Sequence, residues 1–561
     1  MSINITSSGT PTPFPPGGGG GGHQNQLAAG HYENFVAWPS VSYTSQTEAD
    51  TFPFVIYPRP DSETNINARH RWAHDQMIYE VPIYLRGGAF DYWAEIETTN
   101  TSEALLPYIT VTNNWRNTTG DKSCYVQITA LGIQTLAKDG TAYDVYLKVY
   151  DQLGRELKVW WSFKPEVNEN DHFIIYDNSS TTGTYTGTWT NPYRDLLDTD
   201  SGANYLTGTG VNTFEKIVVI KEGNSQTTPY TKSDNWIFEP TGFPIAIINN
   251  PADTNRPVID LQATNVLFVL SGSSSAGSDH FIWGLEVLNG MQPAQIDGYG
   301  AFNRAFGSGT DDRFLLANCK FDTVANWPTT TGTNNCALVF ESTTSQREHM
   351  VVSDIEITNL APSNLATNVG NALMMMGTRY SCFDNWVISN FAQGATTVGK
   401  IAQFKKSLTE SVVRRWTAID NVTCTRYDIS EDTGVTGYEH QNVEICYINI
   451  RSQTTQDIAS LIFITADIGI GPVYGYRNTI TTPNGATRGR IDTNYVMPLT
   501  LKGSVHSGIL NDNGTATTVI SDYASVSLTY FQTDNKLTDL WFTDEGLNPT
   551  ADRGTVGHEI A

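Results

Sequence analysis

The chain has 561 residues, a formal net charge of −24 and only 16% charged side chains. Its 58 acidic residues outnumber 34 basic ones, which excludes a phosphate-backbone binder, so no nucleic acid partner is expected. A length beyond one typical domain, 39% hydrophobic residues and few charges predict several units built from strands and small polar turns.

The opening MSINITSSGT carries neither the basic nor the apolar part of a secretory signal. The most apolar internal stretch, Leu461 to Ile470, is broken by Asp467 and too short to cross a bilayer, so no membrane insertion is expected. Residues 1–30 hold Pro11, Pro13, Pro15, Pro16 and the run Gly17 to Gly22. Such a segment buries too little apolar surface to offset its ordering entropy and reads as a flexible arm. The glycine run precedes no GK[ST], so it is not a phosphate loop. Six widely spaced cysteines (Cys124, Cys319, Cys336, Cys382, Cys424 and Cys446) include no CxxC pair and read as reduced core residues.

Residues 31–165 alternate like strands. Tyr143, Val145, Leu147 and Val149 share one face, and Leu157, Val159, Trp161 and Phe163 share another after the turn-like Asp151–Gly154, which makes a hairpin. Tyr108 to Thr112 and Cys124 to Leu131 behave alike, and several short strands over this span predict a β-sandwich with a supporting or attaching role. Residues 166–210 read as a connector leading into the next unit.

From 211 to 504 a short unit recurs in which apolar residues two apart are followed by a small or polar turn-former. It begins at Leu285, Cys319, Ile355, Trp386, Thr417, Ile448 and Asn478, with steps of 34, 36, 31, 31, 31 and 30 residues. A near-constant period marks a repeat architecture, and runs this short with spacing two exclude helical repeats. The expected fold is therefore all-β: a sandwich-like domain followed by a long parallel β-helix, whose coils bury their apolar rows only through their neighbours. A string of β-sandwiches is the competing arrangement, but its hairpins need no such period. Residues 505–561 read as a cap or an oligomerisation segment, since a solenoid must close its last strand edges.

Thr190-Asn191-Pro192-Tyr193-Arg194-Asp195-Leu196-Leu197, followed by Phe214 to Gly223, resembles the opening of right-handed β-helix proteins of the pectate-lyase-like class. That resemblance implies a short amphipathic helix and then an apolar first strand, with further strands at Trp236 to Phe238, Ile245 to Ile248, Val258 to Leu261 and Val266 to Leu270. Arm, sandwich, β-helix and distinct C-terminal segment together resemble a bacteriophage tailspike or other virion receptor-binding spike. The resemblance implies a homotrimer on the virion. Its N-terminal region would contact other virion proteins, and its β-helix would bind, and in many members cleave, a host surface glycan. A structural virion fibre without glycan chemistry and an extracellular polysaccharide lyase or hydrolase remain as alternatives.

Glycoside hydrolysis needs two carboxylates at a set separation. Adjacent residues on a strand face opposite ways, so a pair would form across coils. The acidic candidates in connections are Asp311, Asp312, Glu348, Glu431, Asp432 and Glu439, with His440 beside Glu439 as a base for β-elimination. Arg414 and Arg415 straddle the strand faces, so at least one is expected outward in a solvated basic patch. Asp279-His280 reads as a turn. Sugar rings stack on aromatic side chains, and Tyr299, Phe302, Trp327 and Tyr438 lie in longer connections suited to that, whereas Trp386 fills an inward slot. No cofactor is expected, and no spacing specifies a metal.

Overall fold

The computed structural model describes residues 54–58, 68–86, 92–150, 156–168, 171–196, 216–231, 236–238 and 245–261, then the strand segments of the β-helix with some flanking residues to 521. The arm at 1–30 and the tail beyond 521 lie outside the described residues.

The first unit follows from its alternation. Its strands are β1 (Phe54–Tyr57), β2 (Trp72–Ala73), β3 (Tyr79–Pro82), β4 (Tyr84–Arg86), β5 (Trp93–Ile96), β6 (Ile109–Asn113), β7 (Cys124–Ile128), β8 (Tyr143–Tyr150) and β9 (Glu156–Pro165). They form a sheet ordered β2-β9-β8-β5, a sheet ordered β3-β7-β6 and the small pair β1-β4. β8 and β9 make the antiparallel hairpin read from the sequence, with Val145, Leu147, Val149, Leu157, Val159, Trp161 and Phe163 all buried. The two sheets meet face to face: Trp161 Nε1 donates to the Tyr79 hydroxyl at 2.8 Å, and the Tyr79 ring stacks on Phe163 at 4.3 Å. The strand expected to run from Cys124 to Leu131 stops at Ile128. There the Thr129 hydroxyl accepts from Gly132 N–H and caps a one-turn helix, Ala130–Gln134, on which Leu131 is exposed.

Parallel stacking begins with β10 (Phe173–Tyr176), which pairs in register with Lys216–Ile220. No helix forms over Asn191 to Leu196; Tyr193 instead exchanges backbone bonds with Ile175 and Asp177, because its N–H and C=O complete the exposed edge of β10. Beyond this point successive coils contribute one strand each to a 10-stranded parallel sheet, except one that supplies both Asn335–Ser342 and Arg347–Glu348, and one or two segments to an 18-stranded parallel sheet. The chain is thus all-β, a sandwich-like unit followed by a long parallel β-helix. The strands expected at Trp236, Ile245, Val258 and Val266 are present as Trp236–Phe238, Ile245–Asn249, Val258–Asp260 and Phe268–Leu270.

Within the 18-stranded sheet two segments of a coil meet at a corner. The corner column is Gly284, Asn318, Asp354, Asn385 and Arg415, with φ of 78°, 53°, 53°, 57° and 52°. Glycine, Asn and Asp tolerate this left-handed conformation best, which explains four of the five. The sequence reading placed the turn at the end of each apolar unit, where Asn289 does hold a φ of 52°; the stacked corner stands at the other end, before the unit. Each corner also removes one residue from the alternation, so the inward sequence runs Val352, then Ile355 and Ile357, and likewise Phe383, then Trp386 and Ile388.

Register agrees with the repeat except at one coil. Trp386 pairs with Trp416, not with Thr417. A bulge between Ala418 and Asn421 inserts an extra residue, so the end of this unit matches the period while its start is displaced by one. Trp386 and Trp416 stack at 4.7 Å and 22°, and each indole N–H donates into the preceding coil, to Val352 O at 2.7 Å and to Phe383 O at 3.0 Å. Cys124, Cys319 and Cys382 are free and buried.

Because both indoles are buried and hydrogen-bonded, Trp386→Ala is expected to lower unfolding stability by about 3–5 kcal/mol in denaturant titration. A loss below about 1 kcal/mol would show that the coil collapses around the deletion.

Candidate functional site

The corner divides the larger sheet into two surfaces. Before it, both sides of the strands are buried: Val351, Val352 and Ser353, and then Cys382, Phe383 and Asp384. After it, burial alternates, with Ile355 and Ile357 inside and Glu356 and Thr358 half-exposed. The first surface is covered by the sandwich unit. The second faces solvent and presents Glu286, Lys320, Glu356, Val387 and Thr417 in one outward row.

Rows of this kind repeat every ~4.8 Å along a parallel stack. Lys320 Nζ lies 3.0 Å from Glu286 Oε1 in the coil before, and Arg256 Nη1 lies 3.6 Å from Glu356 Oε2. Burial alone would lower the Lys320 pKa, but its bond to Glu286 and the fields of Glu286, Glu356 and Asp322 outweigh that and raise it. Exposed pairs of this kind contribute little to stability, typically up to ~1 kcal/mol. Their effect is to hold flat a strip of carboxylates, an amine and hydroxyls, which suits hydrogen bonding to an extended polar ligand.

The covered surface holds a buried ionic junction. Arg414 Nε donates to Asp384 Oδ2 at 2.8 Å, and Arg415 Nε to Asp384 Oδ1 at 2.6 Å. Arg414 continues to Leu85 O at 2.8 Å and the Tyr92 hydroxyl at 3.2 Å. Arg415 reaches the loop between β6 and β7, donating to Trp115 O at 2.5 Å, Asn117 O at 3.0 Å and Ser123 Oγ at 2.9 Å. Asp354 accepts from Tyr84 Oη at 2.6 Å, Asn385 Nδ2 at 2.8 Å and both the N–H and hydroxyl of Ser123. Gly120 completes the contact: its N–H donates to Asn385 Oδ1, and a Cβ there would come within 3.0 Å of Ile355 O.

Neither arginine is therefore outward. Arg414 is 0% and Arg415 1% exposed, which corrects the expected basic patch. Bulk water was the assumed partner, whereas Asp384 one coil below and the carbonyls of the sandwich unit satisfy them. Charges 30 and 31 residues apart were the available signal, since that is the coil step. Trp386 is inward as expected, while Asp279-His280 begins the strand Asp279–Trp283 instead of forming a turn.

Burial by itself would raise the Asp384 pKa, but Arg414 and Arg415 override it and hold the carboxyl below its ordinary range. For Asp354 burial dominates, and the carboxyl is pushed up to about 6 despite Arg415, Ser123, Tyr84 and Asn385.

Of the residues singled out from sequence, Asp311, Asp312, Glu431, Asp432, Glu439, His440, Tyr299, Trp327 and Tyr438 lie outside the described residues. Glu348 and Phe302 stand on separate strands of the 10-stranded sheet, Arg347–Glu348 and Phe302–Phe306, which do not pair with each other. Among the described residues no group of three or more His, Cys, Asp or Glu is placed to hold a metal ion.

No protein-family model and no curated protein sequence matches the chain. Among solved structures it is similar to a Yersinia enterocolitica family 28 exopolygalacturonase, at 8% identity over 81% of this chain and 97% of that one, with a TM-score of 0.26. A likeness of that size carries no argument about activity.

Two outcomes follow from the junction. Asp384→Asn strands two buried guanidinium groups and is expected to cost about 3–5 kcal/mol, measured by urea unfolding. The raised Asp354 pKa means that the folded chain holds a proton that the unfolded chain releases, so its contribution is full below pH 4 and is lost as pH rises through about 6. The thermal midpoint of the wild type relative to Asp354→Asn should therefore rise as pH falls from 8 to 5. A constant difference across that range would contradict the assignment.

Proposed function

We propose that the chain is a virion spike of the tailspike type, whose β-helix binds a host surface polysaccharide along the strip that follows the coil corner. The observation that carries the reading is that this strip is the solvent-facing side of a long parallel stack whose neighbouring side is closed by the sandwich unit. A polymer of linked sugars is itself a linear repeat, and a row that is polar at Glu286, Lys320, Glu356 and Thr417 and apolar at Val387 offers it successive hydrogen-bonding positions and one apolar contact. Glu286, Glu356 and Asp322 repel a densely anionic polymer, so a neutral or sparsely charged glycan is the expected ligand. Whether the glycan is also cleaved, by hydrolysis or elimination, depends on side chains beyond this strip.

The same reading assigns the arm at 1–30 to contacts with other virion proteins, because the sandwich unit is committed to the β-helix by its buried junction. A homotrimer acting outside the host cell after release of the particle belongs to this proposal. The purified chain, incubated with capsule and lipopolysaccharide from a panel of hosts, should bind at least one of them, and Glu286→Lys with Glu356→Lys should alter that binding. Absence of binding across the panel would favour a structural fibre, and a monomer in sedimentation would count against the spike reading.

A further inference from the structure

The outer face of the β2-β9-β8-β5 sheet carries an arrangement that neither the junction nor the β-helix uses. In β8 and β9 the inward residues form the sandwich core, and the outward ones alternate with them and are half-buried. Outward across the strands, Trp93 stands opposite Tyr150, which stands opposite Glu156. The next row is Glu95, Lys148 and Lys158, and the row after it pairs Tyr146 with Trp160, whose rings are parallel within 15° at 5.8 Å. The two aromatic rows are four residues apart along β8, a separation of ~14 Å at ~3.4 Å per residue.

The row between them is made of hydrogen-bonding groups. The Tyr150 hydroxyl is gripped at 3.1 Å by Glu95 and at 3.2 Å by Glu156, which fixes its ring. Asp144, Glu95, Glu97 and Glu156 stand against Lys148, Lys158 and Lys164 on this face, so the patch is close to neutral on a chain of net charge −24. That balance offers no net attraction to a polyanion or a polycation.

Cross-strand aromatic pairs can exist simply to stabilise a sheet. Here both Trp93 Nε1 and Trp160 Nε1 are closed from water with no acceptor among the described residues. Two unsatisfied donors on one face are a cost that an inert packing surface has no reason to keep. A ligand dense in hydroxyls supplies acceptors once an indole rotates toward it, and its apolar ring faces match the aromatic rows.

We infer that this sheet face is a second carbohydrate-binding surface, selective for an uncharged polysaccharide that spans both aromatic rows. It does not depend on glycan binding by the β-helix. The test uses the full chain with two neutral polymers, mannan and dextran, and one polyanion, polygalacturonate, in affinity gel electrophoresis and tryptophan fluorescence titration. Retardation by a neutral polymer with a change in indole emission is expected. Tyr146→Ala and Trp160→Ala should each weaken it at least tenfold, while Thr182→Ala, at an exposed residue on neither surface, leaves it unchanged. Circular dichroism melts establish that each variant is folded; if Trp160→Ala is not, Tyr146→Ala and the wild-type titration decide. No neutral retardation, or retardation lost only in Glu356→Gln on the β-helix strip, would overturn the inference, the latter leaving the β-helix reading intact. A change of sedimentation coefficient in Tyr146→Ala without any glycan effect would also overturn it, and would identify the face as a contact between copies.

Discussion

At the corner of five consecutive coils one residue holds a left-handed backbone conformation, and the stacking of these residues governs what the adjoining strands can do. Since parallel strands pair in register, the corner of one coil lies over that of the next, from Gly284 through Asn318, Asp354 and Asn385 to Arg415. The bend takes one residue out of the inward–outward alternation, so the side of the sheet that is buried twice changes to one that is buried once. A strand carrying Val351-Val352-Ser353 before the corner and Ile355-Glu356-Ile357 after it satisfies both demands. Moving the corner by one residue would send Glu356 inward and Ile355 to solvent.

Arg415 is the exception that shows how the sandwich unit and the β-helix depend on one another. A long side chain gains nothing intrinsically from positive φ. It is held there because its guanidinium satisfies carbonyls of the loop from Asn114 to Asn117 that have no strand partner, while Asp384 neutralises its charge. Two buried arginines against one low-pKa carboxylate and one whose pKa is raised make a set in which each member needs the others. Such a set is weak evidence for net stability and stronger evidence for a single docking geometry, because any displaced arrangement leaves a buried charge without its partners.

The repeat and the β8–β9 hairpin were legible because apolar spacing reports directly on which side chains are buried. The corner was only half legible. Asn, Asp and Gly occur at both ends of the apolar units, and composition does not say which end bends. The displaced start at Trp416 was hidden by a bulge, which leaves the period intact at Asn421 while altering it upstream. Arg414 and Arg415 were misread because strand parity predicts one residue in and one out, and that rule fails where one of the pair occupies the corner. The sheet face of Trp93, Tyr146, Tyr150 and Trp160 escaped notice because the inward apolar positions of the same strands gave the clearer signal.

The junction also bears on how polymer recognition would work in this chain. A sandwich joined by a flexible linker would sample many orientations, and a polymer bound at both units would gain from proximity only in proportion to an averaged effective concentration. Buried bonds from Arg414 to Leu85 and from Asp354 to Tyr84 remove that freedom. The spacing between the β-helix strip and the outer sheet face is then a fixed property of the fold. If both surfaces bind glycan as proposed, a polymer long and flexible enough to reach both would gain avidity, whereas a short oligosaccharide would engage one surface alone. On that proposal, selectivity for chain length would follow from the rigidity of a contact that touches no ligand.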